Sequence, residues 1–364
     1  MILKSVELKN FRNIEYEKID FTDGINILVG KNAQGKTNIL EAINYCSYLK
    51  SFRQSKEEQL IKFGCESAYI KIEYQTDISL ENIEITIYKD KPKLLKKNGI
   101  TVFKNRELIG SFLSTVFTPD HLNLIKEGPN KRRNFLDMLL CALDIKYTDS
   151  LLRYQKILSQ RNALLKRADG QREKYEPLLC VYDEKLAEEG SYIAITRAQY
   201  IKKLDFYAQQ IFADISSSDK KLKILYINQF AKDIEERDIV SKQILARLQK
   251  SRAADFAYQM TSCGIQKDDM LILQGGKALK FFGSQGQIRS AVLSLILAEG
   301  KIINEKYGVY PVIILDDILS ELDRSRQKYI FSGDGVAQCL VSTCETMKAR
   351  GKGNIIKVKE GRIV

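Results

Sequence analysis

The chain opens on alternation: Val6 and Leu8 are apolar between Ser5, Glu7 and Lys9, the period of a half-buried strand. A turn at Asp23-Gly24 leads into Ile25-Asn26-Ile27-Leu28-Val29, a mostly apolar run of buried-strand length. A glycine-bounded loop follows, and beyond it Ile39, Ile43 and Cys46 recur at helical spacing, so the pattern predicts strand, loop, helix. Residues 69–76 and 83–90 alternate as two more strands around a polar turn. From about 134 to 212 the period becomes helical, with Leu151, Tyr154, Leu158 and Leu165 on one face and Ile193, Tyr200, Leu204, Tyr207 and Ile211 on another. Strands are predicted again at Leu222–Ile227 and around Leu271–Leu273, a helix at Ile288–Gly300, and strands at Val312–Leu315 and Gln338–Thr343. The outline is an α/β unit in two pieces, 1–118 and 266–364, interrupted by a mainly helical inserted domain at 119–265.

Composition narrows the chemistry. A hydrophobic content of 44% supports a packed core and excludes a disordered chain. No window approaches the ~18 apolar residues that a membrane span needs. The alternating start is unlike a signal peptide, so a soluble, cytoplasmic protein is expected. The seven cysteines are scattered, with no C-x-x-C, which indicates neither a disulfide framework nor a zinc site; Cys339 and Cys344 read as buried thiols. A single histidine, His121, leaves no partner for a histidine-rich metal site and reads as a structural hydrogen-bonding residue. The formal net charge is +12, and residues 126–175 hold 12 Lys and Arg against 6 Asp and Glu. Such a surplus favours a polyanionic partner, although charge alone speaks only to association.

Gly30-Lys31-Asn32-Ala33-Gln34-Gly35-Lys36-Thr37 matches G-x-x-x-x-G-K-[ST], a pattern that arises by chance in on the order of 1% of chains of this length. Glycines let successive backbone N–H groups turn inward around a phosphate. Lys36 supplies positive charge, the Thr37 hydroxyl suits Mg²⁺, and the following helix N-terminus adds its dipole. The strand before the loop and the helix after it are the context this motif requires. Val312-Ile-Ile-Leu-Asp316-Asp317 is its natural partner: a buried strand ending in two carboxylates, of which Asp316 would hold the metal's shell and Asp317 would orient or deprotonate a water. Taken alone, that segment is a strand ending in an Asp-rich turn.

Gly283-Ser284-Gln285-Gly286-Gln287 opens a helix. Ser-x-x-Gln is a capping box, and the same geometry makes a second anion site. Ser320-Glu-Leu-Asp323 reads as a cap for the helix that follows. Lys131-Arg132-Arg133 precedes an apolar helix, and its arginines either grip phosphates or pair with carboxylates. Thr343, at the end of a strand after the paired aspartates, stands where a sensor of the terminal phosphate can sit.

Together these segments resemble the P-loop ATPase head of the ABC/SMC superfamily: Leu8-Lys-Asn-Phe-Arg-Asn13, Gly24-Ile-Asn, and Gly30 through Thr37 continued by Asn38-Ile-Leu-Glu-Ala-Ile43. Three further segments resemble the RecF family of bacterial recombination mediators: Pro119 to Asp137 (PDHLNLIKEGPNKRRNFLD), Phe282-Gly-Ser-Gln-Gly-Gln-Ile-Arg289, and Leu315 to Arg326 (LDDILSELDRSR). No long coiled coil is present, which fits this family rather than full SMC proteins. The resemblance implies that Ser284, Gly286 and Gln287 form a signature motif touching the γ-phosphate of a nucleotide held by a second subunit, around Gly30–Asn38. It implies that Ser320–Asp323 is a loop crossing that interface. It implies ATP and Mg²⁺ as ligands, an ATP-dependent homodimer, and binding to double-stranded, gapped or junction DNA. Recombination mediator proteins and recombinase are the implied partners, with no membrane. Asp317 replaces the glutamate usual in SMC-type heads, and Ser332–Gln338 matches no pattern we interpret. A scaffold that uses ATP only to dimerise, an ABC transporter subunit and a P-loop kinase are the competing readings. The helical basic insertion argues against the transporter, and Ser284–Gln287 against the kinase.

Overall fold

The computed structural model describes residues 1–53, 55–168, 172–216, 219–230, 236–318, 322–331, 337–344 and 353–364. The chain divides into two compact units. The first holds Met1–Asn123, Tyr207–Asp219 and Ser284–Val364; the second holds Leu124–Phe206 and Lys220–Gly283. The inner limits therefore differ from the expected 119 and 265. The extension past 265 has a physical reason, since Arg132 binds the Asp269 carboxylate and Arg133 the Asp268 carbonyl, which draws that strand to the insertion.

The first unit contains two sheets. One is antiparallel, in the order β2-β1-β4-β5-β6-β7, built from β1 (Ile2–Phe11), β2 (Ile14–Asp20), β4 (Ser67–Gln75), β5 (Leu80–Tyr88), β6 (Leu94–Lys97) and β7 (Ile100–Val102). Its strands alternate buried and exposed residues, as a sheet with one solvated face should. The other runs β15-β14-β3-β13-β12-β8, with β3 (Gly24–Val29), β8 (Ser114–Phe117), β12 (Val312–Asp316), β13 (Gln338–Thr343), β14 (Gly353–Lys359) and β15 (Arg362–Ile363). All its pairings are parallel except β14 with β15. Helix α1 (Lys36–Tyr48) is buried nearly all round, because Ile39, Leu40, Ala42, Ile43, Tyr45 and Cys46 cover more than one face. These residues share one core with Val6 and Leu8 of β1, Ile70 and Ile72 of β4, and Ile314 and Leu340 of the parallel sheet.

In the second unit, α2 (Pro129–Leu143), α3 (Ile145–Arg167), most of α4 (Arg172–Ile215) and α5 (Arg237–Tyr258) accompany a small sheet of β9 (Leu222–Ile227), β10 (Asp269–Gln274) and β11 (Lys277–Ala278). Its interior is unusually polar. Arg161, fully buried, bonds Asp183 at 2.7 Å and Asp255 at 2.8 Å, and Arg197 bonds Asp137 at 2.9 Å and Asp268 at 3.2 Å. Buried guanidiniums persist only with such carboxylates and extra acceptors around them. Among the described residues no helix is long and apolar enough to cross a membrane. All seven cysteines are free; Cys339 is buried, but Cys344 is exposed, contrary to its expected burial, because it lies just past the end of β13.

Candidate nucleotide site

Strand register assembles the site. Thr343 of β13 lies opposite Val29 of β3, and Asp316 of β12 lies opposite Ser342, so three adjacent parallel strands end together. In such sheets, ligands bind beyond the carboxyl ends of the strands. The loop starts at Gly30, whose N–H donates to the Thr343 carbonyl at 3.3 Å. A Cβ on Gly30 would come within 2.2 Å of the Val358 carbonyl oxygen of β14, so only glycine fits. Gly35, the N-cap of α1, has φ 106°, a conformation that penalises any side chain.

Lys36 is 5% exposed, and its ammonium donates to the carbonyls of Gly30 at 2.6 Å and Lys31 at 2.9 Å. The cation is thereby folded back over the concave side of its own loop. The first turn of α1 carries no acidic residue, and Gly35 offers no side-chain cap. Its leading N–H groups and its dipole therefore favour an anion. Thr37 Oγ1 donates to Asp316 Oδ1 at 2.9 Å across 279 residues of sequence, and Ser342 Oγ donates to the same oxygen at 2.7 Å. Burial pushes the Asp316 carboxyl up from its ordinary value, the two hydroxyls pull it down, and Asp317 pushes it up further. A hydroxyl and a buried carboxylate side by side are hard oxygen donors, so the donor set fits Mg²⁺ and the loop fits a polyphosphate.

Asp317 is exposed, its backbone is left-handed with φ 51°, and its N–H donates to Ser342 Oγ at 2.9 Å. Aspartate tolerates that conformation better than most residues, at a cost of about 1 kcal/mol. The strand thus turns sharply, leaving Asp316 inside and Asp317 outside. Cys344 Sγ lies 2.5 Å from Asn32 Oδ1, 3.9 Å from Asp317 Oδ1 and 4.0 Å from Lys36 Nζ. The side chain that faces the loop from the end of β13 is therefore Cys344, while Thr343 contributes its carbonyl.

Several supporting residues escaped the sequence reading. Gln34 is held by the β14–β15 turn, its carbonyl accepting from Gly361 N at 2.8 Å and its Oε1 from Glu360 N at 2.6 Å. Asn13 accepts from Asn38 at 2.7 Å and packs beside Gly35. Glu41 of α1 is fully buried, gripped by Arg12 at 2.7 and 3.0 Å and by Ser51 at 2.5 Å. The run Leu8–Asn13 was visible as a resemblance, but nothing local in it signalled these contacts.

Ser284 caps α6 (Gln285–Tyr307): its Oγ accepts from Gln287 N at 3.3 Å while Gln287 Oε1 accepts from Ser284 N at 2.8 Å. The capping box is real, and Ser284 is exposed. The hydrogen bonds of Ser284, Gly286 and Gln287 run to one another, to Ile288, to Ser290 and to Arg326, and none reaches Gly30–Asn38. The structure therefore brings Gly30–Asn38, Asp316 and Asp317 together and leaves Ser284–Gln287 apart from them in hydrogen bonding. Ser320 lies outside the described residues, as do positions 332–336. Asp323 is described, and its Oδ1 accepts from Arg326 N at 3.0 Å, the cap expected there. His121 is structural, its Nδ1 meeting Thr118 N at 3.1 Å. Of the alternatives for Lys131-Arg132-Arg133, carboxylate pairing holds for Arg132, which is 5% exposed on Asp269.

The family described as "RecF/RecN/SMC N terminal domain" matches residues 2–362. A "DNA replication and repair protein RecF" of Clostridium novyi is 40% identical, covering 94% of this chain and 92% of that protein. The protein of the same name from Clostridium tetani is 37% identical with full coverage of both. A solved structure of "the recombination mediator protein RecF-ATP in RecFOR pathway" superposes with a TM-score of 0.93 at 36% identity, over all of this chain and 97% of that one. The Smc head domain of Pyrococcus furiosus, at 18% identity and a TM-score of 0.57, covers 100% of this chain and 96% of its own and shares the fold.

Proposed function

The chain belongs to the RecF family, an α/β P-loop ATPase head of the ABC/SMC type with an inserted helical unit, and on that premise we propose that it is a DNA-binding ATPase whose ATP-bound form closes into a homodimer on DNA. Gly30, Lys31, Asn32, Ala33, Gln34, Gly35 and Asn38 cradle the phosphates with backbone N–H groups and polar side chains. Lys36 turns its ammonium from its own loop carbonyls to the terminal phosphates. Thr37 and Asp316 would hold Mg²⁺, which when bound would supply positive charge beside the phosphate oxygens. Asp317, turned outward at the strand end, orients the attacking water and accepts its proton.

Ser284, Gly286 and Gln287 belong, on this reading, to the other nucleotide of the pair, the one cradled by the second copy. The observation that carries it is the signature turn itself: an exposed helix N-terminus whose hydrogen bonds are internal, on the same unit as the phosphate loop but not bonded to it. Two copies would then enclose two nucleotides, and loss of the γ-phosphate would remove the contact that holds the clamp shut. The relatives' names, a DNA replication and repair protein and a recombination mediator, support a role in recombinational DNA repair, and we read its site of action as gapped or stalled replication DNA in the cytoplasm. Mediator proteins are the partners in that role, and recombinase loading is its outcome.

Sedimentation with ADP, with ATP and with a slowly hydrolysed analogue tests the proposal. ATP should shift the wild type to a dimer and ADP should not. Ser284→Arg should bind ATP as a monomer within about twofold of the wild type and fail to dimerise, because the arginine fills the space a neighbouring phosphate needs. A Ser284→Arg protein that dimerises like the wild type sinks the trans-signature arrangement.

A further inference from the structure

We propose that Arg326 is a positioning residue that couples the signature turn to the chain descending from the Asp316–Asp317 pair, so that one copy's catalytic end and its signature end move together. The inference rests on the ATP-dependent dimer proposed above and adds a residue and a coupling to it. Arg326 is the third residue of α7 (Arg324–Phe331), with a side chain 14% exposed. Its guanidinium makes three bonds in three directions: Nη1 to Asp323 Oδ2 at 2.6 Å, Nε to Ser290 Oγ at 2.9 Å, and Nη2 to the Gly286 carbonyl at 3.3 Å. Ser290 is 1% exposed, and its own hydroxyl donates to that same Gly286 carbonyl at 3.1 Å. One rigid fork thus pins the start of α7, seven residues after Asp317, to the first turn of α6. Lysine, with a single point charge on a flexible stem, cannot hold the three at once.

The bond to Gly286 also has an electronic consequence. Its carbonyl belongs to the same peptide group as the Gln287 N–H. Donors drawing on that oxygen polarise the amide and strengthen its N–H, as in other hydrogen-bonded chains. The guanidinium adds a full positive charge one turn from the N-terminus of α6, where the helix dipole already favours anions. Arg326 therefore both aims the signature turn and raises its affinity for a phosphate. A shift of the strand end as nucleotide is bound or cut would reach the turn that reads the neighbouring copy's nucleotide, which links the two sites of a dimer.

The test compares Arg326→Met and Arg326→Lys with the wild type, with Ser290→Ala, which removes the Nε arm of the same fork, if the first two fold poorly. Nucleotide affinity of the single subunit should stay within about twofold, while ATP-induced association weakens about tenfold in Arg326→Met, with partial recovery in Arg326→Lys. The Hill coefficient of ATP turnover should fall to that of independent sites, a change that loss of stability alone does not produce. Unchanged association and cooperativity in Arg326→Met overturn the proposal. Should the wild type itself stay monomeric with ATP, the dimer reading fails, and amide hydrogen exchange then decides on Arg326. ATP should slow exchange at residues 286–290 in the wild type and not in Arg326→Met; equal responses would refute the coupling.

Discussion

Among the described residues, a Cβ placed on Gly286 would meet only the Arg326 guanidinium, at 3.9 Å, and the backbone there is not left-handed. None of the described residues requires glycine at that position, and a glycine inside a helix costs up to about 1 kcal/mol relative to alanine. Gly286→Ala should therefore melt at the same temperature as the wild type or slightly above it. On the proposed dimer its ATP-dependent association should nonetheless weaken, since the added methyl would stand where the second copy is proposed to approach. A variant that loses stability, or that associates normally, would show that the glycine answers to packing within the subunit. Gly30 is the opposite case, because its missing side chain is demanded by the Val358 carbonyl of the same subunit. The two glycines look alike in sequence, and only their surroundings separate a residue that the fold demands from one that the proposed dimer would keep open for its second copy.

At the scale of elements, the second unit is held by a polar knot in which α2, α4 and the residue preceding β10 meet through Asp137, Arg197 and Asp268. Asp268 is 1% exposed; Arg197 and the Tyr226 hydroxyl share one of its oxygens, while the other has no partner. Burial pushes its carboxyl up to about 7, against the opposing pull of Arg197. An acid whose folded pKa exceeds its unfolded one holds its proton more tightly when folded. Its contribution is complete below the ordinary value of 3.8 and is lost as the pH climbs toward 7. The urea midpoint of the wild type should therefore decline from pH 5 to pH 8 more steeply than that of Asp268→Asn, whatever the variant's baseline; parallel declines would rule out this residue as the source. The knot also shows what a sequence withholds. Helical period placed α3 and α4, and alternation placed β1, β4 and β5, because those signals are local. The partners of Arg132 and Arg133 lie more than 130 residues away, at the start of β10 and just before it, beyond any window, so phosphate and carboxylate could not be told apart from the run itself. The phosphate loop and Asp316 were legible through a motif, yet their braces at Asn13, Glu360 and Gly361 were not, because those bonds run largely through backbone groups that any residue type can supply.

For the whole molecule, a net charge of +12 bears directly on the proposed grip on DNA. If Lys and Arg contacts to phosphates supply most of the affinity, the logarithm of the binding constant should fall linearly with the logarithm of salt, by about 0.9 for each contact on duplex. Titrating duplex and gapped DNA from low to physiological salt measures that slope, and a flat line would exclude a charge-driven interface. A different consequence follows from the sheet order. β3, which launches the phosphate loop, lies between β13 and β14, and both are encoded more than 300 residues later, after the whole helical unit. At ~5–20 residues per second, a ribosome needs roughly 15–60 s to deliver those neighbours. Until then a nascent chain can finish its insertion and still own only one rib of the cradle. Translation cut short anywhere before β13 would yield a polypeptide able to fold in part but unable to grasp a nucleotide, so unfinished copies would be screened out of pairing by topology alone.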